Sequence, residues 1–102
     1  MRYWLPMTMS QIKRARLARA VRHFPISKVQ LFGSRARGNA SRNSDYDLLI
    51  HFSDNYTPSL FELGGIHHTL TEALGGEVDV VHYRSSLPPA ILNDAKTIFE
   101  RR

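Results

Sequence analysis

The sequence predicts a small α/β (α+β) domain, with one mixed β-sheet, helices packed on one face, and residues 1–102 forming a single unit. Two stretches, around Val29 to Phe32 and Asp45 to Phe52, alternate residue types with the period of a strand, and a third, Glu77 to His82, is rich in valine. Between them, Leu63, Ile66, Leu70 and Leu74 recur at helical spacing. A chain of 102 residues has room for one domain, which buries roughly 60 to 70 per cent of its unfolded surface.

Residues 1 to 8 form an apolar lead-in, in which Pro6 breaks any early helix. Thr8 or Ser10 can cap a helix running to about His23, with Ile12, Leu17, Val21 and Phe24 as its apolar stripe and Lys13, Arg16 and Arg19 outside. Pro25 ends it. The first strand then places Val29 and Leu31 opposite Lys28, Gln30 and Phe32, and Asn39 to Asn43 is a polar loop. In the second strand, Tyr46, Leu48, Ile50 and Phe52 share an apolar face, and Asp45, Asp47, Leu49 and His51 point the other way, onto an uncovered face. Ser59 and Glu62 form a capping-box pattern for the next helix, which Gly75-Gly76 stops. In the third strand Val78 and Val80 face the core, and Asp79 faces the side of Asp45 and Asp47 if the strands are adjacent and in register. Ser85 or Ser86 caps a last helix entered through Pro88-Pro89 and carried by Ile91, Leu92 and Ala95; Thr97 to Glu100 adds a short strand or helical turn.

With no cysteine, disulfides and thiolate metal sites are excluded, which suits a reducing cytoplasm. No apolar run is long enough to span a bilayer, and no signal-peptide pattern opens the chain, so the expectation is a cytoplasmic protein without membrane contact. The formal charge of +5 is unevenly spread: ten Lys and Arg side chains precede Asp45, and every Asp and Glu lies at or beyond it. Such a field attracts polyanions, although most of a basic helix is simply a solvated face. The five histidines are scattered or, at His67-His68, point in different directions, so they do not read as a metal site. His51 alone falls on the carboxylate face.

Chemistry concentrates in two half-motifs, Leu31-Phe32-Gly33-Ser34-Arg35-Ala36-Arg37-Gly38 and Ser44-Asp45-Tyr46-Asp47-Leu48-Leu49-Ile50. Gly33 frees the backbone, and if a helical turn follows, its N–H groups and the Ser34 hydroxyl form an anion cradle. Asp45 and Asp47, two apart on a strand, share a face. Two carboxylates that close repel unless their pKa values shift or a cation lies between them, and Mg2+ prefers such oxygen ligands together with substrate phosphates. A phosphate cradle beside a divalent-cation site implies a nucleoside triphosphate.

Gly33-Ser34, ten intervening residues, then Asp45-Tyr46-Asp47 resembles the signature of the polymerase-beta-like nucleotidyltransferases, and within them the minimal nucleotidyltransferases, the MntA-type antitoxins of MNT/HEPN pairs. The resemblance implies the nucleotidyltransferase fold, ATP as substrate and two Mg2+ ions held by Asp45 and Asp47. Asp79 matches the third carboxylate of that family, binding the catalytic metal. Gly33 and Ser34 would hold the phosphates, with Arg35 and Arg37 as charge partners. It further implies transfer of AMP to a tyrosine hydroxyl of a HEPN ribonuclease toxin, with which the antitoxin forms a hetero-oligomer. Trp4, Leu5, Ile98 and Phe99 could serve that interface, though core packing explains them equally well. Two rival readings are a binding module that neutralises a partner by contact alone, against which the intact carboxylate set argues, and a basic nucleic-acid-binding domain, against which the lack of a helix-turn-helix argues.

Overall fold

The computed structural model describes residues 10–38, 45–54 and 56–101, and at Arg37 the backbone alone. The expectations for the lead-in with Trp4, Leu5 and the Thr8 cap, and for the polar loop from Asn39 to Asn43, lie outside the described residues. The chain order is α1 (Gln11–Val21), β1 (Ile26–Phe32), α2 (Gly33–Arg37), β2 (Tyr46–Phe52), α3 (Leu60–Leu74), β3 (Val78–His82), α4 (Pro89–Asp94) and β4 (Lys96–Glu100). The strands lie in the order β3-β2-β1-β4. β1 runs antiparallel to β2 and β4, and β2 runs parallel to β3.

The period-two pattern decides which way the sheet faces. Val29 and Leu31 of β1 pair with Ile50 and Leu48 of β2, and Tyr46 pairs with Val78 of β3, so their side chains line one surface. Leu17 and Val21 of α1 and Ile66, Leu70 and Leu74 of α3 close over it in one apolar cluster. Ser10 caps α1, its hydroxyl accepting from the Lys13 N–H at 3.2 Å. Ile12 does not join the buried stripe; it is 67% exposed. Helical spacing explains the correction, because the residue one turn before Leu17 is Lys13, which points inward and reaches Tyr46.

The capping box of α3 is formed as the sequence predicts: the Ser59 hydroxyl accepts from the Glu62 N–H at 3.1 Å, and Glu62 Oε1 accepts from the Ser59 N–H at 2.9 Å. Tyr56 donates its phenolic hydrogen to the other Glu62 oxygen. That hydrogen bond, with the cap, holds the Glu62 carboxyl below its usual range and pushes the Tyr56 phenol up. Gly75, at φ +70°, ends the helix in the left-handed conformation. Ser85 and Ser86 do not cap α4; they lie in the turn before it, and the helix starts at Pro89 with no side-chain cap. Ile98 is buried and Phe99 packs against the cluster, so among the described residues these two serve the core.

The opposite sheet face is not bare. Leu49 points there and is fully buried, yet lies outside the main cluster, as does the buried Leu87. The connection from Tyr83 to Ala95 joins strands at opposite edges of the sheet and includes α4, which packs on β1 and α2. With α1 and α3 holding the first face, this crossing covers the centre of the second and leaves the carboxylates at the sheet's end.

Candidate active site

The geometry begins at the end of β1. Phe32 pairs with Asp47 across the β1–β2 ladder, so the next residue, Gly33, lies beneath the Asp47 side chain. A Cβ on Gly33 would fall 2.2 Å from Asp47 Oδ2 and 3.1 Å from its Cγ, and the Gly33 backbone sits at φ +75°. Glycine is required there for two independent reasons, the space taken by the carboxylate and the left-handed backbone. The chain then turns at once into α2, so Gly33 and Ser34 occupy its first turn, where backbone N–H groups have no partner within the helix. Ala36, 1% exposed, anchors this short helix in the core, and Gly38 closes it at φ +79°.

Asp47 and Asp79 are direct partners in the parallel β2–β3 pairing, so the condition on register is met and both project on the same face. Asp45 precedes β2 by one residue, exposed, at the strand's entrance. The Tyr46 N–H donates to the Glu77 carbonyl at 2.9 Å and fixes the relative position of the two strand starts. Thus Gly33, Asp47 and Asp79 come together at one end of the sheet, with Asp45 at its lip. Among the described residues no three acidic or histidine side chains close into a ready metal cluster. The donor set nonetheless fits Mg2+, which takes one or two carboxylates and completes its shell with water and phosphate oxygens.

Arg35 stands elsewhere. Its guanidinium carbon lies 4.0 Å from the centroid of the Tyr46 ring, and Lys13 Nζ lies 5.0 Å from the same centroid and hydrogen-bonds the Tyr46 hydroxyl. Tyr46 alternates with Asp45 and Asp47 and so faces the helices; it braces α2 and α1 together from the far side of the strand. The sequence shows Tyr46 as an apolar-face residue, but no local pattern reveals the two cations it gathers. The Arg37 side chain lies outside the described residues.

His51 shares the carboxylate face but sits four residues along β2, about 13 Å from Asp47 at strand rise. It donates from Nε2 to Gln30 Oε1 at 2.8 Å and stacks on Tyr83, with centroids 4.3 Å apart. Burial, and then the nearby Lys28 charge, lower its pKa below 6.5. It belongs to a polar patch at the other end of the sheet, apart from the carboxylates. His67 is structural too, donating from Nε2 to the Val78 carbonyl at 2.9 Å.

A carboxylate pair beside a helix turn, on a strand paired with the loop-bearing strand, is the arrangement of an enzyme that handles polyphosphates. The model of the family described as polymerase beta, nucleotidyltransferase, matches residues 17–102, and the chain belongs to that family of nucleotidyltransferases. Two archaeal relatives carry the name of protein adenylyltransferases. One, from Methanocaldococcus jannaschii, is 36% identical over 92 residues, 87% of this chain and 96% of its own. The other, MntA of Thermococcus cleftensis, is 37% identical over 75 residues, 74% of this chain and 70% of its own. Among solved structures, the fold is shared by a complex of the tri-AMPylated Shewanella oneidensis HEPN toxin with its MNT antitoxin. The TM-score is 0.66 at 19% identity, with 93% of this chain and 74% of that one covered.

Proposed function

We propose that this nucleotidyltransferase moves AMP from Mg-ATP to a tyrosine hydroxyl of a HEPN ribonuclease toxin in the cytoplasm, and so acts as an antitoxin. The observation that carries the reading is the placement of Asp47, pressed against Gly33 on one side and in register with Asp79 on the other. The names of the two archaeal relatives and the AMPylated partner of the Shewanella neighbour support a protein as the acceptor.

In this reading the first turn of α2, with the Gly33 and Ser34 N–H groups and the Ser34 hydroxyl, holds the triphosphate. Asp45 and Asp47 would hold two Mg2+ ions, with Asp79 completing the catalytic one; when bound, they neutralise the phosphates and lower the pKa of the acceptor hydroxyl. The acceptor oxygen forms a bond to the α-phosphorus as the bond to the β-phosphate bridging oxygen breaks, and pyrophosphate leaves in line. Asp79 would take the hydroxyl proton. Arg35 and Arg37 would act as charge partners, and Arg35 would have to leave the Tyr46 ring to reach a phosphate.

The test is intact-mass measurement of a HEPN protein co-expressed with this chain, incubated with Mg-ATP and this protein, next to an Asp45→Asn, Asp47→Asn control. A gain of one or more AMP units, absent in the control, is expected. A stable complex with unchanged mass would replace the reading with neutralisation by contact alone.

A further inference from the structure

Beyond the carboxylates, the outer edge of β3 and the N-terminal half of α3 enclose a groove of about 480 Å3, lined by Leu60, Leu63, Gly64, His67, Asp79, Val80 and His82. Its rim is unusual for a soluble surface. Leu60, which lines the groove, is 86% exposed, and Phe61, the next residue on the helix and outside the lining, is 92% exposed at the start of a capped helix. Both fall off the buried stripe of α3, so the core does not account for them. At Gly64 a Cβ would meet nothing within 4 Å, so no contact inside the described fold accounts for glycine at this mid-helix position.

Two features say what would fill the groove. It opens on Asp79, so whatever sits in it lies against the carboxylate to which an acceptor hydroxyl must come. The two elements that line it, α3 and β3, also carry three carboxylates, Glu62, Glu72 and Asp79, and neither lysine nor arginine. Such a surface repels nucleic acid and draws in a basic one.

We propose that this groove is the docking surface for the acceptor protein: an apolar side chain of the partner, flanked by lysines or arginines, seats between Leu60, Leu63 and Gly64, with the exposed Phe61 as a second contact beside the groove, and brings the acceptor hydroxyl to Asp79. The inference rests on the proposed transfer to a HEPN protein and names the surface that would select it. Hydrophobic contact supplies the anchor, and the acidic surroundings set orientation and association rate.

The experiment uses the full chain and a HEPN protein co-expressed with it. Binding is followed by calorimetry at two salt concentrations, AMP transfer by intact mass, and Mg-ATP binding separately. Phe61→Ser and Leu60→Ser are expected to weaken the complex and raise the KM for the HEPN protein tenfold or more, with Mg-ATP affinity and melting temperature unchanged. Gly64→Leu is expected to block the complex while keeping or raising the melting temperature, a result that unfolding cannot mimic. Wild-type affinity should fall as salt rises. Unaltered affinity and KM in all three variants would overturn the docking surface and leave the transfer reading standing. A wild-type complex that forms through these residues but gains no AMP would overturn the transfer reading alone. Self-association of this chain, broken by Phe61→Ser and indifferent to the HEPN protein, would give the groove to a second copy and overturn the proposal.

Discussion

The carboxylate of Asp47 occupies the place that a side chain on Gly33 would take, with Oδ2 2.2 Å from the would-be Cβ. The two half-motifs, separated in sequence by a loop, are therefore one object in space, joined through the pairing of Phe32 with Asp47.

Gly33→Ala meets both the left-handed backbone and the displaced carboxylate, and should lower stability by about 2 to 4 kcal/mol in urea denaturation. In an Asp47→Ala background the same change should cost at least about 1 kcal/mol less, because one obstacle is gone. Strict additivity would mean that the two residues do not compete for space.

Asp79→Asn should abolish AMP transfer with little change in melting temperature, since the side chain is exposed in the fold. Ser34→Ala should be milder, raising the apparent KM for nucleotide severalfold, because the backbone N–H groups of the first α2 turn remain. Equal losses in the two variants would argue against the division of roles.

Arg35 and Tyr46 should behave as a pair. Arg35→Ala is expected to cost about 0.5 to 2 kcal/mol, and measurably less once Tyr46 is already Leu. If Arg35→Ala instead cost as much in that background, stacking on the ring would not be what holds the residue.

The pH dependence follows from His51. Burial first, then Lys28, lower its pKa below 6.5, against an opposing pull from Glu100, so the native state favours the neutral ring. Its contribution is fully present above pH 6.5 and is lost as pH falls through the depressed native value, because the unfolded chain takes up the proton first. His51→Gln should flatten the decline in melting temperature between pH 7 and 5. An unchanged slope would show that other groups carry it.

Most of the fold was legible because its signals are local. The Ser59 and Glu62 cap, the Gly75 stop and the alternation of Tyr46, Leu48 and Ile50 each report the structure they form within a few residues. What escaped depends on contacts between distant segments. Lys13 reads as an outward residue until Tyr46, 33 positions later, offers it a partner. Leu49, placed on an uncovered face by alternation, is buried by a connection whose path depends on strand order. Of the site, the residue types and spacing announced Gly33, Asp45 and Asp47. The register that sets Asp79 beside Asp47 is a tertiary fact, and so is the open groove next to it.

The strand order has a consequence for traffic. On the proposed reading, the triphosphate rests at the β1–α2 junction and the acceptor arrives along the outer edge of β3, with the β2 carboxylates between them. Donor and acceptor then use separate doors. Spent pyrophosphate can leave and fresh ATP can enter on one flank while the partner stays seated on the other, so repeated modification of one bound molecule requires no release between rounds.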